Sequence, residues 1–227
     1  MHASSLAAAL DRIGQVQAKL PGGVAAVIAL AALGAAILPD LWLVTRHVTV
    51  MAHEGAHATM GSAMGRRITA IKFRPNADGI TETSAGSVPS SIAIAVSGYL
   101  GPSLFGIAGA ELISVGHIVA VLWAGLVALV LLMVPLRRSF GVVTVIAVFI
   151  LLLVVARYGT LGTQVLTAYG LTWFMLVSGV REVAGLGGRA GDAYILHGLT
   201  RVPRGFWSVV WLAGSLLALG YGAKLLL

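Results

Sequence analysis

His53-Glu54-Gly55-Ala56-His57 lies inside an apolar run, residues 41–65. In a helix the two histidines are one turn apart on one face, where both imidazoles can bind one Zn²⁺. Glu54 lies about 100° around the helix from His53, so it flanks the metal and can accept a proton from the metal-activated water. Because ionisable groups in an apolar span cost roughly several kcal/mol, this cluster predicts a metal site.

The composition predicts a polytopic membrane protein. Of the 227 residues, 58% are hydrophobic and only 10% are charged, with a mean hydropathy of +0.95, whereas a soluble domain has about 25% charged residues. The absence of cysteine excludes disulfides and Cys-based metal sites. The net charge of +7 comes from basic residues at the ends of apolar runs, which indicates contact with lipid headgroups and not with nucleic acid.

The chain is predicted to contain an N-terminal amphipathic segment, 1–22, and a single integral-membrane domain, 23–227. Apolar residues recur at helical spacing within 5–20, and charged residues interrupt them. This pattern favours a short helix on the membrane surface, ended by Pro21, over a signal peptide.

Seven apolar runs follow, so the predicted fold is all-α, with about six to seven transmembrane helices and a small cytoplasmic β-hairpin. Pro102 is expected to kink or break the third run. The runs are 24–38, 41–65, 91–113, 117–135, 140–156, 161–180 and 206–227.

Two polar stretches, 66–90 and 181–204, separate these runs. In the first, Asp78-Gly79 is a turn signal between two short segments, which predicts a hairpin of about 68–74 and 79–84. An exposed hairpin edge could pair with an unwound substrate segment; an ordinary cytoplasmic loop is the alternative.

The basic residues orient the bundle. With seven crossings and a cytoplasmic N-terminus, twelve of the 15 lysines and arginines face the cytoplasm, as the positive-inside rule requires. Both polar stretches then lie on the cytoplasmic side. The twelve residues are Arg12, Lys19, Arg66, Arg67, Lys72, Arg74, Arg137, Arg138, Arg181, Arg189, Arg201 and Arg204.

A catalytic zinc needs a third protein ligand. The predicted topology favours Asp78 and Asp192, with His197 as a weaker alternative or a group that supports a ligand. Asp78 also suits a turn, and Asp192 also suits the start of a helix. The full set of candidates is Asp40, His47, Asp78, Glu82, Glu111, His117, Glu182, Asp192 and His197.

Three segments resemble the site-2-protease class of intramembrane zinc metallopeptidases, in its compact bacterial M50B-like branch. They are the HExxH segment with Met64-Gly65-Arg66-Arg67-Ile68, the hairpin leading to Ser97-Gly98-Tyr99-Leu100-Gly101-Pro102, and Gly191-Asp192-Ala193 before the last run. The resemblance covers about 45–225.

The resemblance implies a multi-pass protein of the bacterial cell membrane that cleaves a peptide bond of a membrane protein or membrane-associated peptide. It implies one Zn²⁺ bound by His53, His57 and Asp192, with Glu54 as the general base. Two other readings of the histidine cluster are a metal-ion transporter and a non-catalytic membrane protein. The transporter would need more polar residues than runs 140–156 and 206–227 contain.

Overall fold

The computed structural model describes residues 11–137, 140–185 and 191–227. Over these ranges the chain forms one β-hairpin and eight helices of ten or more residues. In chain order the elements are α1 (Gly22–Ile37), α2 (Pro39–Ala63), β1 (Ile68–Phe73), β2 (Gly79–Thr83), α3 (Val88–Ser114), α4 (Ile118–Met133), α5 (Phe140–Tyr158), α6 (Leu161–Ala184), α7 (Gly191–Thr200) and α8 (Arg204–Leu226).

Pro39, which lies between the first two apolar runs, separates α1 from α2, whose axes meet at 97°. Leu38 is extended, with φ −72° and ψ 123°, because a residue before proline avoids the helical region. Pro39 then begins α2, where its missing N–H costs nothing. At the other end of α2, Gly65 has φ +72° and the Arg66 amide donates to the Gly61 carbonyl at 2.8 Å, an ending that glycine favours.

The predicted hairpin is confirmed, with strands that begin and end within one residue of the expected positions. The strands are antiparallel, and Ile71 pairs with Thr81. The segment after α4 bonds to the outer edge of β1: the Ile71 amide donates to the Pro135 carbonyl and the Arg137 amide donates to the Ile71 carbonyl, both at 3.0 Å. The edge of β1 is therefore occupied at Ile71.

Helix α3 is the centre of the bundle and packs against α2, α6 and α8. Ser87 caps its start by accepting a hydrogen bond from the Ser90 amide. Of the kink or break expected at Pro102, the break does not occur: α3 continues through this residue and has 27 residues in all. Pro102 is buried, and membrane helices tolerate a proline where neighbouring helices and side chains satisfy the freed backbone groups.

Three helices within the described ranges are long and apolar enough to cross a membrane, α3, α5 and α8, and the bent pair α1–α2 can add a fourth span. The prediction of six to seven spans goes beyond this result. Helix α4 is apolar but has only 16 residues. Helix α6 has 24 residues, and its buried face contains Gln164, Thr172 and Ser178.

The N-terminal segment packs against the end of the bundle where α3 meets α4. Residues 11–14 are helical and residues 16–21 are not, so the amphipathic helix expected to reach residue 20 ends earlier; its residues 1–10 lie outside the described ranges. The backbone N–H of Gln17 donates to the Gly116 carbonyl at 2.8 Å. The side-chain Oε1 of Gln17 accepts from the backbone N–H of Val119 at 3.1 Å. Arg12 donates to Gln164 at the start of α6.

The hairpin lies at the opposite end of the bundle. Arg66 donates to the hydroxyls of Ser90 and Ser91, at 2.7 and 2.6 Å, near the start of α3. A helix of 27 residues is about 40 Å long, and it separates this contact from Gly116. The sequence predicts that Arg12 and Lys19 lie on the same side of the membrane as residues 66–90. These contacts, at opposite ends of α3, do not agree with that prediction.

Candidate metal centre

The two histidines of the HExxH segment face each other inside the bundle. His53 and His57 are one turn apart on α2, as their spacing predicts, and both are buried. Their Nε2 atoms are 3.1 Å apart. Two ring nitrogens at this distance, both directed towards one point, form the beginning of a metal site.

Asp192 completes the triangle. It lies in the first turn of α7, and its Oδ2 is 3.2 Å from His53 Nε2 and 3.3 Å from His57 Nε2. Ligand atoms about 2.0–2.1 Å from a tetrahedral zinc are about 3.3 Å from one another. The three atoms therefore have the separations that such an ion requires.

Packing of α7 holds Asp192 in this place. Ala193 and Leu196 of α7 are buried in a cluster with Tyr99 of α3 and Trp211 of α8. The Trp211 indole donates to the Val96 carbonyl at 2.9 Å, which fixes α8 against α3. Since α7 and α8 both pack on α3, which also packs on α2, Asp192 is held in direct reach of the histidines of α2.

The Nδ1 atom of each histidine faces a separate oxygen. His57 Nδ1 is 2.7 Å from the Ile94 carbonyl of α3. His53 Nδ1 is 3.5 Å from Oε1 of Glu182 on α6. The Ile94 carbonyl can only accept, so His57 Nδ1 carries the proton and its Nε2 lone pair is free for a metal.

Glu54 is buried beside the histidine pair but is directed to the hairpin. Its Oε2 accepts a 2.6 Å hydrogen bond from the Thr81 hydroxyl of β2. Together with His53 and His57 it is close enough to offer a ligand atom. However, Asp192 is within 3.3 Å of both ring nitrogens, whereas one carboxylate oxygen of Glu54 is already bonded to Thr81.

Glycines make room for these side chains. A methyl group at Gly98 of α3 would overlap the ring of His57 and approach His53 Nε2 to 2.6 Å, and one at Gly79 of β2 would overlap the Glu54 carboxylate. Gly101 allows α3 to approach Ala56 of α2, as small residues do where helices cross in membranes. The backbones of α3 and β2 thus form two walls of the site.

The charge of Asp192 depends on the histidines. Helix α7 is outside the candidate spans. Burial acts to raise the pKa of Asp192, but in the metal-free site its hydrogen bonds and charge interactions with His53 and His57 outweigh the burial, so this pKa lies below its ordinary value. Asp192 is therefore a carboxylate at neutral pH, the form that binds a metal.

The other candidate residues lie elsewhere or have other partners. Asp78 is exposed, and its carboxylate accepts from the side-chain amide of Asn76 in the hairpin turn at 2.6 Å. His197 contacts the Val202 carbonyl where α7 ends. The remaining positions are Asp40 in the first turn of α2, His47 against Phe140, Glu82 paired with Lys72, Glu111 bonded to Tyr221, and His117 before α4.

A family model described as Peptidase M50B-like matches residues 24–222. The chain belongs to this family. Membership implies a membrane metallopeptidase, and the matched region contains His53, Glu54 and His57, which could hold a metal ion. No curated protein matches the chain, and no solved structure matches it.

Sequence reasoning missed the residues that surround the ligands. The sequence assigns no role to Thr81 of the predicted hairpin or to Gly98, and it offers Glu182 only as one of nine candidate ligands. Glu182 has no distinguishing signal in the sequence, because charged residues commonly close apolar runs at the membrane surface. Thr81 and Gly98 have none either, since threonine is common in strands and glycine in membrane helices.

Proposed function

We propose that this protein is an intramembrane zinc-dependent endopeptidase that cleaves membrane-embedded or membrane-associated protein substrates. The observation that carries the proposal is the triangle of His53 Nε2, His57 Nε2 and Asp192 Oδ2, with edges of 3.1–3.3 Å, beside the buried Glu54. Two imidazoles, a carboxylate and an adjacent glutamate are the groups of a catalytic zinc site.

In this proposal His53, His57 and Asp192 hold the zinc, which when bound polarises the peptide carbonyl and lowers the pKa of water. Glu54 acts as the general base: it accepts the proton of the attacking water and then delivers a proton to the leaving amine. Thr81 holds Oε2 of Glu54 and leaves Oε1 for the transfer.

We propose β2 as the strand that binds the substrate. Ile71 directs its backbone groups away from β2, towards Pro135 and Arg137. Residues paired across an antiparallel ladder share this orientation, so its partner Thr81 directs its own groups away from β1. The backbone N–H and C=O groups of successive residues point to opposite edges of a strand. Those of Gly79 and Thr83 therefore point to the same edge of β2 as those of Thr81, the edge away from β1.

The free edge of β2 lies next to the proposed general base, because Thr81 of this strand contacts Glu54. An unwound substrate segment pairing there would form main-chain hydrogen bonds with Gly79, Thr81 and Thr83. Because Thr81 contacts Glu54, the paired segment would lie beside the catalytic groups. A helical substrate must unwind to be cut, and strand pairing satisfies the backbone groups that unwinding exposes.

We also propose that the end of the bundle with the metal centre faces the cytoplasm of a bacterial cell. Most of the lysines and arginines in the described ranges lie at this end or in the loops beside it, as the positive-inside rule expects. The N-terminal segment then lies on the opposite side with the start of α4. The basic residues at the hairpin end include Arg66, Arg67, Lys72, Arg74, Arg137, Arg181, Arg201 and Arg204.

Glu54→Gln tests the mechanism, because it removes the base and leaves the proposed ligands. In proteoliposomes the wild-type protein should cleave members of a fluorescent single-span peptide library, and metal analysis should find about one zinc per chain. The variant should keep the zinc and lose cleavage. Retained cleavage would rule out Glu54 as the base, and a wild-type protein that binds no zinc would exclude the metallopeptidase itself.

A further inference from the structure

The side chain of Glu182 enters the site from α6, on the edge of the His53 ring away from the metal position. Its Oε1 is 3.5 Å from His53 Nδ1, and its side chain is only 15% exposed. Asp192 Oδ2 is 3.2 Å from Nε2 of the same ring. Because the two nitrogens of an imidazole point in different directions, Glu182 cannot share a metal with Nε2 while the ring keeps this orientation.

Glu182 has few other ways to balance its charge. Its Oε2 is buried without a hydrogen-bond partner, as is Nδ1 of His53. In the described part of the chain no lysine or arginine pairs with Glu182; the neighbouring Arg181 instead lies over the Trp42 ring. A largely buried carboxylate without a lysine or arginine partner is costly, so its place beside His53 calls for an explanation.

The Nδ1 atoms of His57 and His53 face different kinds of oxygen. His57 Nδ1 faces the Ile94 carbonyl at 2.7 Å, a neutral acceptor that fixes its ring and tautomer. His53 has no backbone acceptor in this position, and Glu182 is the oxygen that faces its Nδ1. A carboxylate that accepts the N–H of a metal-binding histidine orients the ring and makes it a stronger ligand.

We propose that Glu182 is a positioning residue for the metal centre: it accepts the Nδ1 proton of His53 and so directs the Nε2 lone pair to the metal. Glu182 does not bind the metal itself. This inference rests on the proposed zinc site and adds to it a third helix, α6. The metal would therefore connect α2 and α7 directly and α6 through His53.

Zinc affinity of the metal-free, full-length protein tests this role without any substrate. Affinity is measured in detergent by competition with a chromophoric chelator, and the melting temperature of each apoprotein is measured in parallel. Glu182→Ala should weaken zinc binding by about 10- to 100-fold, the range found when outer carboxylates are removed. Glu182→Gln should lose less, because its amide oxygen can still accept the N–H. Glu111→Ala, at the other end of α3, should bind as wild type.

Equal zinc affinity in Glu182→Ala and wild type would overturn the proposal. So would equal losses in Glu182→Ala and Glu182→Gln with equal falls in melting temperature, since these indicate a structural role. If Glu182→Ala does not fold, Glu182→Gln decides: weaker binding at an unchanged melting temperature supports positioning, and unchanged binding contradicts it. His57→Ala in the same titration separates the two proposals, because wild-type affinity there would refute the zinc site itself.

Discussion

The hydroxyl of Thr81 on β2 donates a 2.6 Å hydrogen bond to Oε2 of Glu54 on α2. This contact joins the hairpin to the residue that we propose as the general base. It also restricts the Glu54 carboxylate to one orientation in a buried site. A hydrogen bond therefore joins the strand proposed to bind the substrate to the carboxylate proposed to activate water.

Thr81→Val should keep the zinc and reduce cleavage by about ten-fold or more, because a hydrogen bond to a charged group contributes about 1.5–3 kcal/mol. Thr81→Ser should recover most of the activity, since it restores the hydroxyl. The measurement is kcat/KM on the library peptide that wild type cleaves best, together with the metal content. Thr69→Val, which removes a hydroxyl bonded to Glu82 on the exposed side of the hairpin, is the matched control. Wild-type activity of Thr81→Val would mean that Glu54 needs no such support.

Gly98→Ala should weaken zinc binding by roughly 10- to 100-fold, because the added methyl group overlaps the His57 ring and overpacking costs about 1–3 kcal/mol. Gly220→Ala on α8 is the control, since a methyl group there meets no atom within 4 Å. Chelator competition gives both affinities. Equal affinities for the two variants would show that the ring of His57 can move without loss of the metal.

Asp192→Ala should lower zinc affinity by more than about 100-fold, beyond the effect of losing an outer carboxylate. Asp78→Ala should leave it unchanged, because Asp78 is exposed and bonded to Asn76 in the hairpin turn. Metal content after dialysis against a weak chelator distinguishes the two. The reverse result would transfer the third ligand from α7 to the hairpin.

Lys19→Cys and Arg67→Cys should be labelled from opposite sides of the membrane, because Gln17 contacts Gly116 and Arg66 contacts Ser90 at the other end of α3. The chain has no cysteine of its own, so each variant carries one reactive thiol. A membrane-impermeant maleimide on sealed vesicles should label only one of the two. Labelling of both from the same side would support the seven-crossing order expected from the sequence.

Thr83→Pro should raise KM for a cleaved peptide while the zinc stays bound, because it removes an N–H from the free edge of β2 and not from the ladder with β1. Thr83→Ala controls for the loss of the hydroxyl. Steady-state kinetics in proteoliposomes separate KM from kcat. An unchanged KM would indicate that the substrate does not pair with this edge.

The sequence by itself determined the local features of this protein. The seven apolar runs correspond to seven of the helices, Pro39 separates the first two, and Asp78-Gly79 predicts the hairpin turn, because each depends on a residue and its near neighbours. The position of His53 and His57 on one helix face follows from their spacing alone. Pro102 shows the limit of such local reasoning, since α3 continues unbroken through it.

Only the tertiary structure decided which distant groups meet. It brought Asp192 and not Asp78 to the histidines, placed Glu182 behind His53, and put Thr81 on Glu54. It also placed residues 12–20 at the end of the bundle opposite the hairpin, since the bent pair α1–α2 does not form two antiparallel crossings. These relationships come from helices packing on α3, and a single sequence does not specify which faces of its helices will touch.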